Sequence, residues 1–243
     1  MENNNWSFSQ VQQQQVAQQP IAKTFIASVF SWMGIALAIS AVTAFVFGTD
    51  EGYSSYLMDS FTRRPTTLGF IVAFAPLAFV LIMGFGINKL SATAMTVLFL
   101  VYSVIMGMSL SFIFHSYVHS SIYQVFIASA AMFGGMAFIG YTTKTDLTKL
   151  GSLLFMALIG IIVASLINFF MQSNGLSYFI SFIAVIVFTG LTAYDVQKLK
   201  NIGGSVEQGT DSTTKLALLG ALTLYLDFIN LFLALLRLFG RRD

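Results

Sequence analysis

The sequence predicts an all-α polytopic membrane protein built as a bundle of seven transmembrane helices. Three observations carry this. Hydrophobic residues make up 56% of the chain and charged residues only 9%, where a soluble domain carries about 25% charged residues. Mean hydropathy is +0.80, so too little polar surface exists to cover an exterior facing water. Seven apolar runs of membrane-spanning length follow one another, and a span needs roughly 20 such residues. Backbone groups in lipid must be satisfied within each segment, so runs this long are helices. A β-barrel would show short alternating segments instead.

The elements follow in order. Residues 1–21 are rich in Gln and Asn and nearly free of charge, the composition of a disordered polar tail. They lack the basic start and apolar core of a signal peptide. Residues 22–243 form one transmembrane domain. Its spans run from about Ala22 to Phe47, Leu68 to Ile87, Ser91 to Phe114, Ile122 to Tyr141, Leu150 to Met171, Tyr178 to Leu199 and Leu216 to Phe239. Most connections are short turns between antiparallel neighbours; 48–67 and 200–215 are the longer ones. Gly134-Gly135, Gly107 with Ser111, and Gly160 with Ala164 suit close helix contact.

Cysteine is absent, which excludes disulfides and thiolate metal sites. A net charge of +2 gives no footprint for nucleic acid. With the N-terminus inside and seven crossings, seven lysines fall inside and five arginines outside, a weak form of the positive-inside pattern. A re-entrant last segment would make the count ten against two. Its 24 residues, Leu216 to Phe239, are long enough to cross. Charge and length therefore point in different directions for the seventh span.

Ten acids are present, and only Asp195 and Asp227 interrupt apolar runs. An acid at bilayer depth costs about 2.5–3.5 kcal/mol on insertion scales, and such groups face the bundle interior and mark ion or proton paths. The two lie on consecutive antiparallel spans, although counting turns from the loop leaves their depths one or two turns apart. If they meet, two carboxylates in a poorly solvated site cannot easily both ionise, so they share a proton. Ionised, they offer hard oxygen ligands to a cation such as Ca²⁺. Lys89, in a tight turn after the second span, is a candidate basic partner and also a positive-inside anchor. His115 and His119 have the i, i+4 spacing of a metal pair but no evident third ligand. No cofactor box, phosphate-binding Gly loop or nucleophile elbow is present.

The stretch from Leu222 through Asp227 to Gly240, LTLYLDFINLFLALLRLFG, resembles the last helix of the transmembrane Bax inhibitor motif family. Thr143 to Gly151, TKTDLTKLG, is similar to that family's loop between helices 4 and 5. Phe188 to Lys200, FTGLTAYDVQKLK, is similar to the end of its sixth helix. The likeness covers roughly Lys23 to Gly240. It implies a bacterial-type member with seven helices and the last one surrounded by the others. It also implies a pH-sensitive Ca²⁺ leak governed by an aspartate pair on helices 6 and 7, at which Asp195 and Asp227 stand. Some bacterial relatives carry Arg near the end of helix 2, where this chain has Lys89, a point charge instead of a guanidinium fork.

The expected function is thus a cation leak gated by protonation of Asp195 and Asp227, in a bacterial inner membrane with the N-terminus cytoplasmic. Its partners are the lipid bilayer, Ca²⁺ and protons; no cofactor is expected. The alternative is a stress-response regulator that binds and modulates another membrane protein such as a protease. An enzyme is not expected. Intramembrane aspartyl proteases use Gly-x-Gly-Asp at the second site, and here it reads Leu224-Tyr-Leu-Asp227. No Lys lies deep in a span to form a retinal Schiff base.

Overall fold

In the computed structural model, residues 8–59, 62, 64–207 and 209–242 are described, with the backbone alone for 8–21. The elements are α1 (Phe8–Thr49), α2 (Glu51–Leu57), α3 (Thr67–Gly86), α4 (Ala92–Leu110) continued by a 3-10 turn (Ser111–His115), α5 (His119–Thr142), α6 (Thr148–Met171), α7 (Asn174–Gly203) and α8 (Asp211–Phe239). Seven of these are long and apolar enough to cross a membrane. The crossing segments within them, from Ala22–Thr49 to Asp211–Phe239, end within five residues of the expected spans. Helix α1 starts at Phe8, so the backbone of 8–21, assigned to the disordered tail by composition, is helical and continuous with the first span. Residues 1–7 of that tail lie outside the described residues.

Polar residues mark the membrane edges by capping. Thr66, Ser91, Ser173 and Thr210 each accept a hydrogen bond from the backbone N–H three residues on, opening α3, α4, α7 and α8. Each satisfies one of the orphan donors of a helix start. At the other ends lysines take over. Lys200 Nζ donates to Tyr141 O at 2.8 Å, closing α5, and lies 5.0 Å from the Tyr141 ring centroid. Lys215 Nζ donates to Ile87 O and Leu90 O, closing α3. A cation at a helix C-terminus satisfies free carbonyls and complements the dipole. Gln197 holds the α5–α6 loop by accepting from Leu147 N and donating to Thr145 O. In that loop, hydrogen bonds from the Thr148 hydroxyl and amide hold the exposed Asp146 carboxyl below its ordinary range. Its stabilising effect is therefore full above the ordinary carboxylate pKa and is lost as pH falls through the lowered value. Acidification should lower the protection of amides at the start of α6 against exchange, measured relative to the intrinsic rate at each pH, an effect missing from Asp146→Ala.

Helix α8 is the axis of the bundle. Helices α1, α3, α4, α5 and α7 pack against it. Of its most apolar 18-residue stretch 67% is buried, against 17% in α3 and 11% in α6. The family resemblance implied a last helix surrounded by the rest; helix α6 departs from this, because it packs on α7 instead. The last segment is long and apolar enough to cross fully. It is one unbroken 29-residue helix, roughly 43 Å long at 1.5 Å per residue. Its start is tied to the α3–α4 turn through Lys215, and its far end to the α4–α5 connection. There Arg241 N donates to Ser121 Oγ, Val118 N donates to Arg241 O, and Arg242 stands over the Tyr117 ring. One unbroken helix agrees with the full crossing that length predicts, and not with the re-entrant segment that the lysine and arginine count favours.

Glycine is needed where two backbones touch. A Cβ on Gly140 would stand 2.2 Å from Ala193 O, and one on Gly107 would stand 2.6 Å from Ser40 O. Gly140 sets α5 against α7, and Gly107 sets α4 against α1. Gly134, Gly135 and Gly160, expected to mediate contact, have nothing within 4 Å. They lie on the outer faces of α5 and α6, where lipid covers them.

Candidate functional site

The site arises where α7 and α8 cross. Helix α7 continues to Gly203, four residues past the expected span, and α8 begins at Asp211, five residues before it. A Cβ on Gly220 would stand 2.6 Å from the Leu199 side chain, so α8 starts about a turn beyond the end of α7. That offset removes most of the depth mismatch between the two acids, and the carboxyls of Asp195 and Asp227 come within hydrogen-bonding range of each other. Asp195 is 9% exposed and Asp227 is 5% exposed. Asp227 Oδ2 is a buried oxygen with no hydrogen-bond partner.

Both acids line one cavity of about 1090 Å³. Its floor is the face of α8 that carries Thr223, Leu226, Asn230, Leu233 and Arg237, residues spaced three or four apart and so on one helix side. Its walls are α3 and α4 on one side and α6 and α7 on the other. Helices α3 and α6 do not pack on each other. The cavity is therefore a cleft that opens sideways between them, with Leu77 and Phe155, 63% and 59% exposed, at its lips.

Lys89 is exposed in the α3–α4 turn and does not line this cavity. The expected basic partner is instead Lys198, one turn beyond Asp195, which interacts electrostatically with it and lines the cavity. Spacing explains the difference: residues i and i+3 share a helix face, whereas Lys89 belongs to a turn at the membrane edge. His119 packs its ring edge-on against Phe114, 5.4 Å between centroids, and the buried His115 Nδ1 has no partner.

Sequence reasoning missed a second polar feature. Tyr102, fully buried, stacks on Phe99 and meets Tyr225 edge-on at 5.5 Å. Tyr225 shares a hydrogen bond with Ser40, whose hydroxyl also reaches Ser103 O. The Tyr102 hydroxyl has no partner, and Tyr102 is one of the residues that line the cavity. Only its place between α4 and α8 reveals this, since a Tyr in an apolar run reads as packing.

Known proteins resemble this chain along almost its whole length. Residues 22–243 match the family model described as inhibitor of apoptosis-promoting Bax1. The inner membrane protein YbhL of Escherichia coli strain K12 is 48% identical over 221 residues, covering 90% of this chain and 92% of its own length. A protein of Borreliella burgdorferi is 43% identical over 222 residues, covering 91% and 94%. A membrane protein of Streptococcus pyogenes serotype M1 is 38% identical over 223 residues, covering 90% and 93%.

Proposed function

This chain belongs to the Bax inhibitor family, and from that premise we propose that it is a pH-responsive leak pathway for Ca²⁺ governed by Asp195 and Asp227. One observation supports the reading above the others. The two acids that interrupt its apolar runs lie together in a membrane-depth cavity, and one carboxyl oxygen is left without a partner. A buried acceptor at such depth costs free energy unless a proton, water or cation satisfies it. With one shared proton the pair holds α7 and α8 together. Without it, two carboxylates repel and present hard oxygen ligands, which suit Ca²⁺. Lys198 biases the balance from one end of the cavity.

The membrane is proposed to be a bacterial inner membrane, in keeping with the name of the Escherichia coli relative. The N-terminus is proposed to be cytoplasmic, on the seven-to-five excess of basic residues on that side. Proteolysis is not assigned to the pair, because Leu224 and Leu226 fill the positions where glycines would admit a substrate backbone.

The test is Ca²⁺ entry into dye-loaded liposomes across pH. Wild type should pass Ca²⁺ with a pH-dependent rate, and Asp195→Asn should flatten the profile. No flux at any pH, together with a stoichiometric membrane protein in the purified material, would favour the regulator reading.

Helix α3 forms one wall of the cleft and is held at its end by Lys215. Lys215→Met removes both bonds and leaves two carbonyls unpaired. A spin label at Leu77 should then report a broader distance distribution to α6. Thermal stability should fall by about 1–3 kcal/mol.

A further inference from the structure

The sideways cleft between α3 and α6 ends, at the C-terminal end of α8, on Arg237. This guanidinium is exposed, donates one bond to Ser177 Oγ at 3.3 Å, and has no carboxylate partner among the described residues. A guanidinium has five N–H donors in a fork that matches phosphate oxygens. Arg237 lies two residues from the end of α8, and Ser177 lies near the start of α7. Both therefore stand at a membrane edge, the level of lipid phosphates.

From Arg237 down to Asp227 is ten residues of helix, roughly 15 Å at 1.5 Å per residue. Half of a hydrocarbon core of about 30 Å is the same length. The wall between those two levels is mostly apolar, with Leu233 and Ala234 of α8 and Leu158 and Ile161 of α6, Asn230 being its polar residue on α8. A cleft this large, apolar and open to the bilayer does not stay empty, since its lining would forfeit dispersion contacts.

We propose that the cleft is a binding site for one anionic glycerophospholipid, its phosphate on Arg237 and Ser177 and one acyl chain along α8. The chain's end then reaches Asp227 and covers the aspartate pair from that leaflet. The consequence for flux rests on the leak reading; lipid retention is measured without it.

The experiment is native mass spectrometry of the purified protein, titrated with phosphatidylglycerol and with phosphatidylcholine of identical chains. Wild type should retain one phosphatidylglycerol, several-fold in preference to phosphatidylcholine. Arg237→Ala should lose the preference while still holding some of either lipid. Ser165 lines the cleft six residues from the end of α6 in the same leaflet, so Ser165→Trp should fill it and lose both lipids. Unchanged melting curves would show that the variants fold. Equal retention by wild type and Ser165→Trp, or an unaltered preference in Arg237→Ala, overturns the proposal. So does a copurifying membrane protein whose helix occupies the cleft with no lipid retained. If lipid retention follows the proposal but wild type passes no Ca²⁺, the leak reading fails and the lipid site stands.

Discussion

The Asp195→Asn/Asp227→Asn double variant is expected to be no more altered than either single variant. An amide keeps the size and hydrogen-bonding reach of a carboxyl but cannot release the shared proton. Once one partner is replaced, the proton-linked unit is gone, and the second replacement has little left to remove. The effects of the two single changes on unfolding should therefore fail to add by about 0.5–3 kcal/mol, the range for residues in direct contact. The stability of the double variant should also vary less with pH than that of wild type. A full double-mutant cycle of thermal unfolding at several pH values measures both. Strict additivity would mean that the two carboxyls titrate independently, and the pair would lose its meaning as a unit.

Gly140→Leu is expected to be the most damaging single change outside the pair. Even its Cβ would stand 2.2 Å from Ala193 O, a backbone atom that cannot rotate aside. Helices α5 and α7 must separate to admit the side chain. Overpacking in a filled core costs typically about 1–3 kcal/mol, and a clash with backbone belongs at the top of that range. Ala193 lies two residues before Asp195, so the same displacement moves Asp195 away from Asp227. Loss of thermal stability and loss of pH response should therefore arrive together. Gly134→Leu is the control. It points into open space and should leave both unchanged.

Those two glycines show where sequence reading succeeds and where it stops. Apolar run length located every span, because the need to satisfy backbone groups in lipid is a one-dimensional constraint. It also singled out Asp195 and Asp227, because cost at bilayer depth is a property of the residue and its position along the run. Which face of a helix meets lipid and which meets protein is a different matter. Both surroundings are apolar, so Gly134 and Gly140 look alike in the sequence, and only packing separates them.

The same limit hid the cleft. Nothing in the apolar runs of α3 and α6 says that they fail to meet. The aspartate contact was uncertain for a simpler reason. Turn counting takes the facing ends of the two helices as level, whereas Gly220 lies against Leu199 and α8 starts about a turn beyond the end of α7. Lys89 and Lys215 exchanged importance on similar grounds. Both lie at a membrane edge, but Lys215 sits on a helix and reaches the end of α3, while Lys89 sits in the turn and faces outward.

The central claim is that protonation of the Asp195–Asp227 pair sets the Ca²⁺ permeability of the bundle. Ca²⁺ flux into liposomes, followed across pH for wild type and Asp227→Asn, tests it most directly. A one-proton equilibrium shifts the ratio of two states by at most about tenfold per pH unit. Wild-type flux should climb with pH as the pair loses its proton, and the Asp227→Asn profile should be flat. Parallel pH profiles in the two proteins would contradict the claim.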